Sequence, residues 1–150
     1  MSLRFRNIDA QPSDPVDTWG VEGIVAAIER GGLAHLQRIV RAVDADPTGP
    51  VAQDLAEATE ILSDPDSLGF TKARLLDSHL RRAQDSDAEV AHQVQSALDY
   101  SGVSLREFAA AIGTSASRLS TYATGSTRPS AAKLIEIQRA SVALSRQGQT

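Results

Sequence analysis

Between its glycine and proline breaks, the chain places apolar residues at helical spacing in one segment after another. In "DTWGVEGIVAAIERGG", Ile24, Val25 and Ile28 recur at this spacing, and two glycines end the pattern. No stretch alternates with period two for long enough to predict a strand, although "LRFRNI" at residues 3–8 is a short candidate. Because helices and strands require different periods, this pattern predicts an all-α fold.

The breaks divide the chain into regions. After a polar tail at residues 1–15, an acidic region of about four helices is expected over residues 16–86, for dimerisation or partner binding, and a second domain over residues 87–146. Residues at helix starts indicate where two of these helices begin. Asp17 or Thr18 is the expected N-cap of the first helix, and Thr48 with Pro50 starts the third. Apolar residues at helical spacing also define the segments that follow the first: "LAHLQRIVRAVDAD", "VAQDLAEATEILS", "FTKARLLDSHLRRAQ" and "DAEVAHQVQSALDYSG".

Composition narrows the class of protein. The chain of 150 residues is 41 % apolar but only 4 % aromatic, which favours helices packed on helices. It has no cysteine, so disulfides and cysteine metal sites are excluded. The first residues, "MSLRFRNIDAQPSDP", have no apolar run of signal length, and we expect a cytoplasmic protein.

Charge is distributed unevenly along the chain. Residues 101–150 hold six basic and two acidic side chains, whereas residues 1–100 hold nine basic and seventeen acidic ones. This asymmetry suggests two parts with different partners, although an uneven surface charge is the simpler explanation.

The segment from Val103 to Ser130 has the most specific spacing. In "VSLREFAAAIG", Ser104 is an N-cap with Glu107 three residues on, and Gly113 can end the helix in a left-handed conformation. In "TSASRLSTYATG", Ser115 caps a second short helix with Leu119 and Tyr122 facing inward. Ser130 then caps "AAKLIEIQRASVALSRQ". Two short helices joined by a tight turn predict a helix-turn-helix.

These residues resemble the Cro/CI-like (Xre-type) helix-turn-helix DNA-binding family over residues 98–140, and their sequence is similar to that of actinobacterial Xre-family regulators. The resemblance implies that the second helix enters the major groove of DNA. The positions that it implies for base contacts are Ala116, Ser117, Arg118 and Thr121. The candidate phosphate contacts are Ser104, Arg106, Ser115, Thr124, Ser126 and Arg128.

Two positions depart from the pattern of that family. Many relatives have a glutamine where this chain has Leu105, and that amide commonly anchors a phosphate, a role that Arg106 can take here. Ala116 is short for a base contact. The reading of bases is therefore expected to depend on few side chains.

The sequence contains no recognisable catalytic motif. His35, His79 and His92 lie on three different predicted helices, and none belongs to a metal-ligand motif. We therefore expect no catalytic residue, no metal site and no cofactor. The single tryptophan, Trp19, is most simply a core residue, and its alternative role is an anchor at a subunit or partner interface.

The leading hypothesis is a sequence-specific DNA-binding transcriptional regulator, a repressor that acts as a homodimer on double-stranded DNA. The alternative is an antitoxin that binds its toxin through the N-terminal region and regulates its own synthesis through the helix-turn-helix. A third hypothesis is a helical docking module without DNA binding, which predicts no salt-dependent affinity for duplex DNA. No membrane contact is expected.

Overall fold

The computed structural model describes residues 2–149, and these residues form seven α-helices and no strand. The helices are α1 (Gly20–Arg30), α2 (Leu33–Ala45), α3 (Pro50–Ile61), α4 (Phe70–Ser101), α5 (Leu105–Ala111), α6 (Ala116–Thr124) and α7 (Ala131–Gln147). The prediction of an all-α fold is confirmed. The candidate strand at residues 3–8 is wrong, because this stretch runs as irregular chain with bends and pairs with no second strand in the described part.

The chain folds as two compact units, unit 1 up to Gln84 and unit 2 from Asp85 onward. Helix α4 contains the boundary and is a single helix of 32 residues, where the sequence predicted two. The stretch "AQDSDAEV" has no glycine or proline. Aspartate and serine are weak helix formers, but each disfavours a helix by only about 0.5 kcal/mol. The helix therefore continues through them.

Unit 1 has its own hydrophobic core. Its most deeply buried side chains include Ile24 and Ile28 of α1, Ile39 of α2, Leu55 of α3 and Leu80 of α4. These positions follow the predicted helical spacing, so each helix contributes one apolar stripe to a shared interior.

The segment before the first helix, expected as a polar tail, packs against this core. Leu3 is buried, and the Phe5 ring meets Trp19 edge-on with 5.4 Å between ring centroids. The Trp19 indole N–H donates to the carbonyl of Asp14 over 3.1 Å. The Arg38 guanidinium donates to the same carbonyl and lies 4.9 Å from the Trp19 ring centroid. Trp19 is 1 % exposed, so its prediction as core is confirmed and its alternative as an interface anchor is wrong.

Helix α1 begins later than predicted. Val16–Thr18 form a short 3-10 turn, and α1 starts at Gly20. The Thr18 hydroxyl donates to the carbonyl of Pro15 over 2.6 Å instead of accepting a backbone N–H of the helix. Neither Asp17 nor Thr18 is the N-cap, because both belong to this turn and Trp19 takes the cap position before the helix.

Helix α3 begins with Pro50 at its first position, as predicted, but its N-cap is Gly49 and not Thr48. A Cβ atom on Gly49 would crowd a carboxylate oxygen of Asp46. A larger residue at the cap would therefore need the exposed Asp46 side chain to move aside.

Unit 1 leaves apolar side chains exposed on its surface. Leu33 and Leu75, which belong to the predicted apolar patterns of their helices, are 71 % and 68 % exposed. A groove of about 320 Å³, here called the α1 groove, lies beside α1. Its apolar lining comprises Phe5, Ile8, Val21, Val25, Ala26 and Ile61, and its charged or polar lining comprises Arg6, Asn7, Glu22, Glu29 and Arg30.

The three histidines do not come together. His79 pairs with Asp44 over 2.6 Å, His35 accepts the backbone N–H of Gly32 over 3.2 Å, and His92 is exposed. Across residues 2–149, no three histidine or carboxylate side chains are grouped so that they could hold a metal ion. Within the same range, no helix has the length and apolar character needed to cross a membrane.

Candidate nucleic-acid interface

The predicted pair of short helices is present in unit 2. Residues 112–115 join α5 to α6, and Gly113 has a φ of +71°, a conformation that glycine adopts without strain. The Thr114 amide donates to the carbonyl of Ala109 over 3.0 Å, which closes the turn. Ala109 is 2 % exposed, so its small side chain lies where the two helices pack together. This is the arrangement expected of a helix-turn-helix.

A compact core holds the two helices. Phe108, Leu119 and Ile137 are fully buried, and Tyr122 is 7 % exposed. The predicted inward positions of α6, Leu119 and Tyr122, are therefore confirmed. On α7, Ile135 is 47 % exposed and lies outside the core.

Three serines cap the helices of unit 2, as the sequence predicts. Their hydroxyl oxygens accept backbone N–H groups at 3.0 to 3.1 Å. The pairs are Ser104 with Glu107, Ser115 with Arg118, and Ser130 with Lys133. A capping hydroxyl uses a lone pair and keeps its own proton. Ser104 and Ser115 can therefore cap a helix and donate to a phosphate oxygen at the same time.

The four positions implied for base contacts all lie on α6. Ser117 and Arg118 are exposed, whereas Ala116 and Thr121 are half-buried. Ala116 packs against the core of unit 2, which leaves little of its methyl group for a base. The Thr121 hydroxyl donates to the carbonyl of Arg118 over 2.6 Å, so its proton is used within the helix.

Arg118 has a partner one turn further along α6. Its Nε–H donates to the hydroxyl oxygen of Tyr122 over 3.1 Å. The two residues are four positions apart, which places them on the same face of a helix. The guanidinium therefore has a defined position in the protein without DNA.

The residues implied for phosphate contacts extend from the start of α5 to the segment after α6. Thr124 and Ser126 share a hydrogen bond of 2.9 Å between their hydroxyls. Arg128 forms an ion pair of 2.8 Å with Asp87, whose side chain is 16 % exposed. Arg106 is exposed on α5, next to Leu105. A phosphate that approaches Arg128 therefore competes with a carboxylate already present.

The net charge of unit 2 differs from that of residues 101–150, the basic segment of the sequence. From Asp85 onward the chain has six basic and six acidic side chains, because α4 adds four carboxylates to the basic window of residues 101–150. Those four are Asp85, Asp87, Glu89 and Asp99. The basic residues of unit 2 belong to α5, α6, α7 and the segments between them, so the excess positive charge is local to these elements.

Two residues of the site were missed by the sequence reasoning. Tyr122 was assigned to the core alone, although its spacing from Arg118 is a signal for contact on a helix. Asp87 is 41 residues from Arg128, and no local pattern could pair them.

Comparison with known proteins gives one match. The family model described as helix-turn-helix matches residues 98–140. No curated protein and no solved structure matched the chain. The match supports a DNA-binding transcriptional regulator in general terms, and the matched family is one of DNA-binding regulators, not of enzymes. Residues 98–140 are therefore a helix-turn-helix domain of the Cro/CI (Xre-like) type.

Proposed function

We propose that this protein is a sequence-specific DNA-binding repressor that acts as a homodimer. The observation that carries the proposal is the start of α6, where Ser117 and Arg118 are exposed after a capped first turn and Thr121, half-buried, follows one turn later. A helix of this size fits the major groove, and its first turns are the part that reaches base edges.

Arg118 has the side chain best suited to reading a base in this proposal. Its guanidinium can donate two hydrogen bonds to O6 and N7 of one guanine. Ser117 adds a short hydroxyl, and Thr121 adds a methyl group with an acceptor oxygen. Ala116 contributes close approach at most, so specificity rests chiefly on these three side chains.

Phosphate contacts position the domain on the duplex in this proposal. Ser104 and Ser115 donate their remaining protons, Arg106 takes the role that relatives give to a glutamine at Leu105, and Thr124, Ser126 and Arg128 follow α6. Four of the six are thus neutral hydroxyls at or near helix starts or ends. Because only charged groups release counterions on binding, we expect a modest salt dependence.

Dimerisation is proposed because one such domain covers little DNA, and two half-sites are needed for useful affinity. Unit 1 is the proposed dimerisation region. The apolar lining of its α1 groove and the 56 % exposure of Ile61 in that lining support an interface there. Up to Gln84 the chain has thirteen acidic and nine basic side chains, a balance that disfavours contact with the phosphate backbone.

The test of DNA binding is fluorescence anisotropy of the full chain with duplex DNA from upstream of its own gene. A scrambled duplex of the same composition is measured beside it, at salt concentrations from about 50 to 200 mM. The double variant Arg118→Ala, Thr121→Ala is expected to lose the preference for the upstream duplex. The matched control is Ser145→Ala, Arg146→Ala on α7, which removes the same charge and a hydroxyl bonded in the same way to a helix carbonyl.

Preference for the upstream duplex that the control keeps and the α6 variant loses would support the regulator and its reading helix. Equal affinity for both duplexes, unchanged by either variant and by salt, would exclude DNA reading. The domain would then be a docking module.

The second candidate function is an antitoxin, for which the exposed apolar lining of the α1 groove is the favouring observation. A partner protein would then occupy the surface that the first proposal gives to a second copy. The repressor and antitoxin proposals predict different molecular masses for the purified chain, which analytical ultracentrifugation measures. They also predict different effects of Ile61→Ser on that mass. A dimer that Ile61→Ser dissociates supports the repressor. A monomer that forms a stable complex with the product of an adjacent gene, and loses it through Ile61→Ser, supports the antitoxin.

A further inference from the structure

The hydrogen bond between Arg118 and Tyr122 joins an exposed cation to a buried ring. Arg118 is exposed at the start of α6, whereas Tyr122 is 7 % exposed and belongs to the core that contains Phe108 and Leu119. The ring cannot move without disturbing that core, so the hydroxyl oxygen is a fixed acceptor. Side chains on a helix lean toward its N-terminus, which brings the hydroxyl of Tyr122 over the turn that carries Arg118.

The atoms of this hydrogen bond decide which N–H donors of the guanidinium remain for a contact with DNA. Arginine has five N–H donors, one on Nε and two on each terminal nitrogen. The Nε–H of Arg118 is used by Tyr122 over 3.1 Å. The four donors of the two terminal nitrogens remain, and two of them, one on each nitrogen, form the end-on edge of the guanidinium.

We propose that Tyr122 is a positioning residue for base recognition: its hydroxyl holds Arg118 so that the two terminal nitrogens meet guanine end-on. The proposal rests on the role of Arg118 in the proposed function. It adds that the side-on approach, through Nε and one terminal nitrogen, is closed because Tyr122 occupies Nε. Selectivity for guanine then depends on a residue that does not touch DNA.

Restricting the arginine explains why a core tyrosine would affect selectivity. A flexible arginine loses rotamer freedom when it pairs with a base, and that loss opposes binding. A side chain held in place beforehand loses less. It also reaches neighbouring bases and phosphates less easily, so the restriction favours the correct base over others.

The test is Tyr122→Phe in the full chain, which removes the hydroxyl oxygen and keeps the ring. The matched control is Tyr100→Phe, the same chemical change at the other tyrosine, which is 65 % exposed on α4. The probe is a duplex enriched from a randomised pool by the wild-type chain, together with versions in which each base pair is replaced in turn. The base pair read by Arg118 is the one whose replacement no longer matters in Arg118→Ala.

Tyr122→Phe is expected to reduce discrimination at that base pair by roughly threefold to tenfold, the range for one net hydrogen bond. Discrimination at the other base pairs should stay unchanged, and Tyr100→Phe should behave as wild type throughout. A general loss of stability would instead weaken all base pairs alike, and that result would overturn the proposal.

Two other results would overturn it in distinguishable ways. If Arg118→Ala abolishes discrimination at one base pair and Tyr122→Phe keeps it in full, Tyr122 has no positioning role and the proposed function stands. If the wild-type chain discriminates at no base pair, the proposed function fails together with this inference.

A second measurement on the wild-type chain removes the dependence on how well Tyr122→Phe folds. The Nε–H resonance of Arg118, assigned by its absence in Arg118→Ala, is followed by NMR with and without the duplex. Slow hydrogen exchange in both states is expected for a bonded Nε–H. Exchange as fast as that of the exposed Arg106 in the DNA complex would overturn the proposal.

Discussion

Residues of α6 differ in how many of their hydrogen-bond donors are already used within the protein. Arg118 uses one of five donors for Tyr122, and Thr121 uses its only donor for the helix carbonyl of Arg118. The sequence indicates both residues but not these hydrogen bonds, because the bonds depend on side-chain rotamers. What each residue can offer to DNA is therefore decided by the bonds it makes in the protein.

Thr121 is expected to contact DNA through its methyl group. Thr121→Val keeps the shape and loses only a hydroxyl whose proton is already used, so DNA affinity should stay within about twofold. Thr121→Ser keeps the hydroxyl and loses the methyl, which should weaken binding to the preferred duplex about fourfold. Anisotropy titrations measure both. The opposite order, a loss for valine and none for serine, would mean that the hydroxyl makes the contact.

At the scale of whole helices, the sequence predicts an element well where the residues that start and end it lie close together in the chain. Ser104, Ser115 and Ser130 bond to amides three residues away, and Gly113 and Gly125 end α5 and α6 with positive φ. Such signals lie within one turn of the chain, so the sequence contains them in full. The start of α1 was predicted too early, because a short 3-10 turn precedes the helix. The continuity of α4 was not predicted, because aspartate and serine are weak helix formers but do not end a helix.

Helix α3 contains one carboxyl that its surroundings disfavour as an anion. Burial raises the pKa of Asp54 above its ordinary value of 3.8, and the neighbouring charge of Glu57 raises it further. The folded chain therefore holds this proton more readily than the unfolded chain. Stability from this group falls as the pH rises from about the ordinary value through the raised pKa, and the penalty is complete above it.

Asp54→Asn should accordingly raise the free energy of unfolding at neutral pH, by no more than about 0.5 kcal/mol, because solvent screens the charge of this partly exposed carboxyl. The gain should shrink as the pH falls through the raised pKa and vanish below the ordinary value, where both states are protonated. Urea unfolding at a series of pH values measures this. Glu60→Gln, an exposed change on the same helix, is the control. A gain that does not vary with pH would contradict this account.

At the scale of the whole molecule, the chain has two cores that share no residue. One contains Trp19, Ile28 and Leu55, and the other contains Phe108 and Ile137. Because cooperativity depends on shared packing, we expect the two units to unfold in separate steps.

The single tryptophan allows this to be tested, since Trp19 is buried in unit 1. Its fluorescence should follow unit 1 alone during urea unfolding, whereas far-UV circular dichroism follows the helices of both units. The two transitions are expected to differ in midpoint. Coincident curves at every protein concentration would show one cooperative unit. Phe108→Ala should shift only the circular dichroism transition, since its cavity lies in unit 2.

The sequence by itself determined the all-α class and the capped α5 and α6 pair. Each depends on periodicity or on contacts within a few residues, which the order of amino acids encodes directly. Only the tertiary structure decided the packing of Leu3 and Phe5 on Trp19, the ion pair of Arg128 with Asp87 and the neutral balance of unit 2. These depend on residues far apart in the chain that meet only when the helices pack.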